Sequence, residues 1–426
     1  MLLFPDMMHP RYHILVLAVT GFMLLLAGST ATAAPLTLEQ AIDRALRFAP
    51  SIAMASGTSD LTEARAREQR APLFPSISAG TEYYQAPGYN QVITNRGLSS
   101  GLLALNYTAF DWGRRAARYR AARYVSEAAT LGVAAARAQI AFDTRGAYYE
   151  LLRARDNERE ISGSLDRLSR YVVTVEQLLS SGRAIENDVL KIRNARDGAE
   201  LALASARSDV RRASANLGSL IGDFDATDIA IADVDAVPAE PAADIALSPP
   251  MQVAKHAISA ASQQVRAARA ERLPTFQVAL TTGFLGVDPP ATVNHNYGAS
   301  YDGVISVPVF EGGLINSHID QAKAKVQTAQ AQLRQTQFLL ERRLKDAALR
   351  YQQAGEQLKI LARAQPTADD AFALTWTRFL GGGGATVLEV LDSYQQSEQL
   401  RLQRFAYQFA AREAVAESFL LAGRVQ

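Results

Sequence analysis

The sequence states its plan twice. Arg70-Ala71-Pro72-Leu73-Phe74-Pro75, an alternating stretch, and Phe110-Asp111-Trp112-Gly113 ahead of a long helical run return as Arg272-Leu273-Pro274, another alternating stretch, and Phe310-Glu311-Gly312-Gly313 ahead of a second run. The offset is about 200 residues, far above the roughly 20–50 of solenoid repeats, so the duplicated unit is large. Each unit reads as helix, two strands and two very long helices, and two such units pack side by side as one pseudo-symmetric body. The implied divisions are a signal at 1–34, a first repeat at 35–221, an intervening segment at 222–250 and a second repeat at 251–426.

The opening residues have the form of an export signal. Arg11 and His13 precede an apolar run from Ile14 to Ala27 and the small residues Ala31-Thr32-Ala33-Ala34, with a core too short for the roughly 20 residues of a spanning helix. No later segment reads as a transmembrane helix. The 44 Lys+Arg balance 43 Asp+Glu, so the basic surplus of a nucleic-acid binder is missing. Zero cysteines remove disulfides, thiol catalysis and a lipid carried on Cys. An exported chain of this kind belongs to the periplasm, the outer membrane or the exterior.

Four stretches alternate with period two. Ile77, Ala79 and Tyr83 oppose Ser76, Ser78 and Glu82; Leu103, Leu105, Tyr107 and Ala109 oppose Ala104, Asn106 and Thr108. Phe276, Val278, Leu280 and Phe284 oppose Gln277, Ala279 and Thr281, and Tyr301, Ile305, Val307 and Val309 oppose Asp302 and Ser306. Strands of about 10 residues suit a bilayer only if no edge stays unpaired in lipid. Four cannot close a barrel alone, so either several copies share one or the strands cover a soluble core. The turn-rich segments Ala86–Asn90 and Gly286–Pro290 read as exposed loops.

Proline is absent from Arg114 to Leu179 and from Ile315 to Gln365, and a helix of the first length extends about 100 Å. Such helices need partners. Ala184 to Leu220 and Thr386 to Gly423 supply them, giving two helical hairpins reversed at Ser180-Ser181-Gly182-Arg183 and Gly381-Gly382-Gly383-Gly384. Recurrent alanines (Ala116-Ala117, Ala121-Ala122, Ala134-Ala135-Ala136 and Ala322, Ala324, Ala329, Ala331) allow close coiled-coil-like packing, or act simply as good helix formers. Thr37 to Arg70 is expected as one or two helices interrupted near Pro50, with Met251 to Arg272 as its counterpart. The segment 222–250, rich in Asp and Ala with Pro238, Pro241, Pro249 and Pro250, reads as a linker or small irregular structure.

In order, spacing and duplication, these features resemble the TolC-type outer-membrane factor family, the outer-membrane ducts of tripartite efflux pumps and type I secretion systems. The resemblance rests on Leu36-Thr37-Leu38-Glu39-Gln40-Ala41, the two strand-to-helix junctions, and the hairpin turns followed by Asp188-Val189-Leu190 and Leu388-Glu389-Val390-Leu391-Asp392. It implies a mostly α protein with membrane β-structure. In this arrangement a homotrimer contributes four strands per chain to a twelve-stranded outer-membrane β-barrel in lipid, and long hairpins form a periplasmic α-barrel. It also implies a periplasmic adaptor and an inner-membrane pump of RND, ABC or MFS type as partners.

Glu389 and Asp392 lie three residues apart on one helical face. In the family, acidic residues at these places line the narrow periplasmic pore constriction, and Asp188 is the first-repeat counterpart; ordinary solvated helix charges are the alternative. Where the family's gating arginine would sit, this chain has Ala385, leaving Arg183 and Arg193 as possible substitutes. Ser181, Gly182, Arg183, Gly382, Gly383 and Gly384 correspond to adaptor-docking tips, against the plainer reading of turns without a partner. His9, His13, His256, His295 and His318 are scattered, and no metal site, cofactor or catalytic cluster is expected. The competing function is a non-conducting trimeric coiled-coil stalk.

Overall fold

The computed structural model describes residues 35–85, 97–234, 243–286, 297–382 and 384–425. The signal at 1–34, the loop segments 86–90 and 287–290, Pro238, Pro241 and Gly383 lie outside the described residues. In chain order the elements are α1 (Leu38–Phe48), α2 (Pro50–Arg70), β1 (Ser76–Gln85), β2 (Gly97–Phe110), α3 (Arg114–Ser180), α4 (Glu186–Ile221), α5 (Pro249–Ala270), β3 (Thr275–Gly286), β4 (Tyr297–Ser306), α6 (Leu314–Leu380) and α7 (Val387–Ala422).

The duplication is visible in the lengths: α3 and α6 both have 67 residues, and their return helices α4 and α7 both have 36. The break expected near Pro50 falls at Ala49, since proline is readily accepted in the first helical turn but not in a helix interior. The same preference starts α5 at Pro249, two residues ahead of Met251. Against that rule, α6 continues through Pro366 for four further turns. One backbone hydrogen bond is lost there, while packing against α7 on either side of the proline holds the helix together.

Hairpin packing follows heptad spacing. The buried residues Leu340, Ala347, Ala354, Leu361 and Ala368 of α6 step by seven, and Leu203, Ala206, Val210, Ala213 and Leu217 of α4 alternate three and four. Of the alanines singled out above, Ala117, Ala121, Ala322 and Ala329 are buried, Ala116, Ala122, Ala134, Ala135 and Ala136 are half-buried, and Ala324 and Ala331 are exposed in the chain. Each return helix ends on a left-handed glycine, Gly222 abutting the end of α1 and Gly423 the start of α5. A Cβ on Gly222 (φ 84) would meet Phe48 at 2.7 Å, and one on Gly423 (φ 70) would meet Pro249 at 2.4 Å. α4 thus ends against α1 and α7 against the start of α5, while α2 packs on α3 and α5 on both α3 and α6.

The segment after α4 is more than a linker. Leu36 and Ile231 form a parallel bridge, and the buried Tyr148 hydroxyl lies 2.9 Å from the Leu36 carbonyl and 2.7 Å from that of Ala232. Burial pushes that phenol up to about 12.

Candidate functional site

The four strands form one antiparallel sheet in the order β1-β2-β3-β4. Its register brings the separate apolar faces together. Ile77 stands opposite Leu105, Leu105 opposite Leu280, and Leu280 opposite Tyr301; Tyr107 is opposite Val278, and Phe276 opposite Ile305. Because side chains alternate with period two, these residues share one face, while Ser76, Asn106, Gln277, Ala279 and Asp302 share the other. Both outer strands are exposed along their whole length. Ile77 is 66% exposed and Tyr301 85%, so among the described residues nothing covers these parts of the apolar face.

Two details differ from the alternation read in sequence. β4 ends at Ser306, so Val307 and Val309 lie past the strand. A register shift between Thr108 and Phe110 takes Ala109 out of the ladder and sets Phe110 opposite Phe276. A bulge of this kind re-aims the following side chain. Exposed aromatics then mark both ends of the sheet: Tyr83, Tyr84 and Tyr297 at the loop end, Phe74, Phe110, Trp112 and Phe310 at the helix end. This is the distribution of rings expected at two membrane–water interfaces.

Sheet and helices join at paired glycine turns. Gly113 (φ 78) and Gly313 (φ 89) precede the two long helices, and Gly312 (φ 58) has its counterpart in Trp112 (φ 54), a left-handed tryptophan whose ring meets Phe110 edge-on at 5.0 Å. Asp111 accepts from the backbone of Gly113 (3.1 Å) and Arg115 (2.9 Å) and from Arg115 Nε (2.8 Å). Arg115 also reaches the carbonyls of Pro72 and Thr108. Burial alone would raise the Asp111 carboxyl; the Arg115 hydrogen bonds and charge outweigh it and hold it below the usual range.

At the other end, the hairpin tips lie next to each other. Gly182 (φ 73), Gly382 (φ 70) and Gly384 (φ 91) take left-handed turns that a side chain would strain. Ser181, Gly182, Arg183, Gly382 and Gly384 are all exposed. Arg183 crosses from the first tip to donate to the Leu380 carbonyl at 3.1 Å, at the end of α6. Arg193 instead pairs with Glu176 inside its own hairpin. Behind the tips, Tyr171 packs on Trp376 at 4.4 Å, and Val172, Val175, Val189 and Ile192 form a small core.

The three acidic residues near the tips have local roles as well as charge. Glu389 completes a capping box with Thr386, accepting from its backbone N–H at 2.7 Å, and the half-buried Asp188 accepts from the Ile185 N–H at 3.3 Å in the equivalent place. Asp392 is exposed. The structure therefore brings Asp188 and Glu389 to corresponding positions at the starts of α4 and α7.

Sequence reasoning missed a polar knot between the two hairpins, about two to six turns behind the tips. Arg167 on α3 donates to Glu160 (2.8 Å) and to both oxygens of Glu398 on α7 (2.8 and 3.0 Å). Arg401 joins Glu160, Glu398 and, on α6, Asp369. Tyr394 and Ser164 share a 2.7 Å hydrogen bond. Burial raises the carboxyl of Glu398 despite both arginines, and burial likewise raises the Tyr394 phenol. For Asp369, burial is overcome by Ser397, Gln365 and Arg401, which hold the carboxyl low. Nothing local marks the contacts between the hairpins, since Arg167 and Glu398, Ser164 and Tyr394, and Glu160 and Arg401 are each more than 200 positions apart.

Among the described residues no group of three or more His, Asp or Glu side chains is arranged to hold a metal ion, and no helix is long and apolar enough to cross a membrane. His256 lies beside Glu127 and His318 beside Glu271.

Comparison with known proteins agrees with this architecture. The family model for outer membrane efflux proteins matches residues 41–223 and 244–423, one match per repeat. Protein CyaE of Bordetella pertussis is 28% identical over 320 residues, 71% of this chain and 66% of that protein, just under two thirds of its length. Outer membrane protein TolC of Escherichia coli K12 is 22% identical over 420 residues, covering 90% of this chain and 82% of that protein. The crystal structure of the outer membrane protein VceC of Vibrio cholerae superposes with a TM-score of 0.79 at 21% identity, covering 91% and 97% of the two chains.

Proposed function

The chain belongs to the outer membrane efflux protein family, and from that premise we propose how it works as the outer-membrane channel of a tripartite export system. The protein resides in the outer membrane with its helical part in the periplasm, and the family's task is transport. Its channel conducts passively; an inner-membrane pump, reached through a periplasmic adaptor, supplies the energy.

The observation that carries this reading is the open sheet. It has one continuous apolar face and two unpaired edges, an arrangement that lipid tolerates only after closure. β1 and β4 run antiparallel to each other, so β4 of one copy pairs with β1 of the next without breaking the alternation. Three copies give twelve strands. At about 3.3 Å per residue, the 10 residues of β1 tilted by about 40° cover a hydrocarbon layer of about 25 Å.

In the closed ring, the helices enclose a periplasmic conduit whose mouth is formed by the tips. Asp188, Glu389 and Asp392 then recur three times around that mouth and favour cations, while Ser181, Gly182, Arg183 and Gly382 to Gly384 are the surface offered to the adaptor. Opening is a relative displacement of the hairpins biased by adaptor binding. The test is single-channel recording with the purified full chain in planar bilayers, together with its mass in detergent. A three-chain particle with stepwise, cation-preferring conductance is expected; a monomer that stays soluble without detergent and conducts nothing refutes the channel and leaves a stalk.

A further inference from the structure

One face of α6 is turned away from its main packing partners within the chain, α5 and α7. On that face Phe338, Arg342, Lys345 and Leu349 are spaced four, three and four residues apart and so align. Phe338 is 63% exposed and Leu349 54%. Arg343 and Arg350, on the neighbouring row, hold Glu417, but Arg342 and Lys345 form no ion pair among the described residues. The open surface along this stretch is lined by α6 alone, with Glu341 and Asp346 flanking Arg342 and Lys345.

The opposite lateral edge of the chain carries the complement. Residues 222–234 include Asp223, Asp225, Asp228 and Asp233 and no Lys or Arg. Asp228 is taken by Arg155. Asp223 and Asp225 are exposed, and among the described residues they form no ion pair. Between them Phe224 is 71% exposed, its ring meeting Phe48 edge-on at 5.7 Å.

The two patches lie at one height. Arg207 of α4 pairs with Glu158 of α3, which sets Ile221, the last residue of the antiparallel return helix, beside about residue 144 of α3; the chain turns back at Gly222, with Ala226 against Gly218, so Phe224 lies level with roughly residues 143–146. Both long helices have 67 residues and begin at equivalent junctions, Arg114 and Leu314. The turn of α6 at the same distance from the sheet is therefore near Arg343, in the middle of the basic face.

We propose that Asp223, Phe224 and Asp225 of one copy clasp Phe338, Arg342, Lys345 and Leu349 of the next. The occupant of the α6 face is then a second copy of this chain, held head to tail by opposite charges around an apolar centre. The proposal rests on the ring closure given under the proposed function, and it adds a specific equatorial lock far from the strand edges.

The absence of native cysteine makes the test direct. The full chain with Phe224→Cys and Phe338→Cys is oxidised in detergent and run on a non-reducing denaturing gel. The double variant gives covalent two- and three-chain species that reduction removes, and either single variant gives none. In the cysteine-free chain, Arg342→Glu with Lys345→Glu raises the fraction of free monomer at low salt by about tenfold, and adding Asp223→Lys with Asp225→Lys restores the oligomer; 1 M salt, where screening reaches about 3 Å, erases the difference. Oligomers of unchanged size that never cross-link and ignore charge reversal overturn the clasp while leaving the channel reading intact. A wild-type chain that stays monomeric overturns both.

Discussion

Arg167→Ala is the sharpest test of how the hairpins are held together. The wild-type knot contains two arginines (Arg167, Arg401) and three carboxylates (Glu160, Glu398, Asp369) drawn from α3, α6 and α7. Deleting Arg167 leaves Glu160 and Glu398 facing each other with one shared cation. Removing one partner of a fully buried pair costs about 3–5 kcal/mol. The side chains here are 26% (Arg167), 20% (Glu160) and 13% (Glu398) exposed, and Arg401 stays at 3.3 and 3.2 Å from the two glutamates. A loss of about 2 kcal/mol per chain is therefore expected. Burial raises the carboxyl of Glu398 above its unfolded value, so its contribution is fully favourable below the unfolded pKa and is lost as pH rises through the folded one. Without Arg167 that folded value climbs further. The deficit of the variant is then larger at pH 7 than at pH 5, and Glu398→Gln in the Arg167→Ala background recovers about half of it. Urea unfolding of the detergent-solubilised protein at fixed concentration, followed by helical circular dichroism at both pH values, measures these effects. A loss below about 0.5 kcal/mol at pH 7, or one independent of both pH and Glu398→Gln, refutes the reasoning.

Other sites give independent checks. A Cβ on Gly283 (φ 153) would lie 2.0 Å from the Gly101 carbonyl oxygen, so Gly283→Val should abolish conductance in planar bilayers, whereas Gly303→Ala, with its nearest contact at 3.6 Å, should conduct normally. Thr386→Ala removes one half of the capping box and should destabilise the α7 start by about 1 kcal/mol, seen as faster amide exchange in residues 387–390 with unchanged ion selectivity. Asp392→Asn should show the reverse pattern, a smaller cation preference in reversal-potential measurements with unchanged exchange. Arg115 holds the Asp111 carboxyl below its unfolded pKa, so the stabilisation from Asp111 is present above that unfolded value and lost as pH falls through the folded one; acid unfolding of Asp111→Asn should lack this component.

Much of the fold was legible because it obeys short-range rules. Proline-free runs marked the long helices, Gly182 and Gly382 marked the reversals, and period-two alternation marked four strands. The limits of that reading are equally local. Val307 and Val309 continue the alternation, yet β3 offers them no partner past Thr275, which pairs with Ser306. Pro366 looks like a stop, but the helix on either side of it is held by a neighbour. The tip acids were visible as charges, whereas the capping hydrogen bonds of Asp188 and Glu389 emerged only with the backbone geometry.

Duplication, strand amphipathicity and hairpin length were determined by the chain itself, since each is written in residues near one another. The tertiary structure alone decided that four apolar strand faces fall on one side of one sheet, because strand register is set between residues as far apart in sequence as Ser99 and Gly286. It alone brought Arg167 to Glu398. Pairings of that kind depend on helices of fixed rise laid side by side, and distance along a rigid helix is a quantity that sequence proximity does not encode.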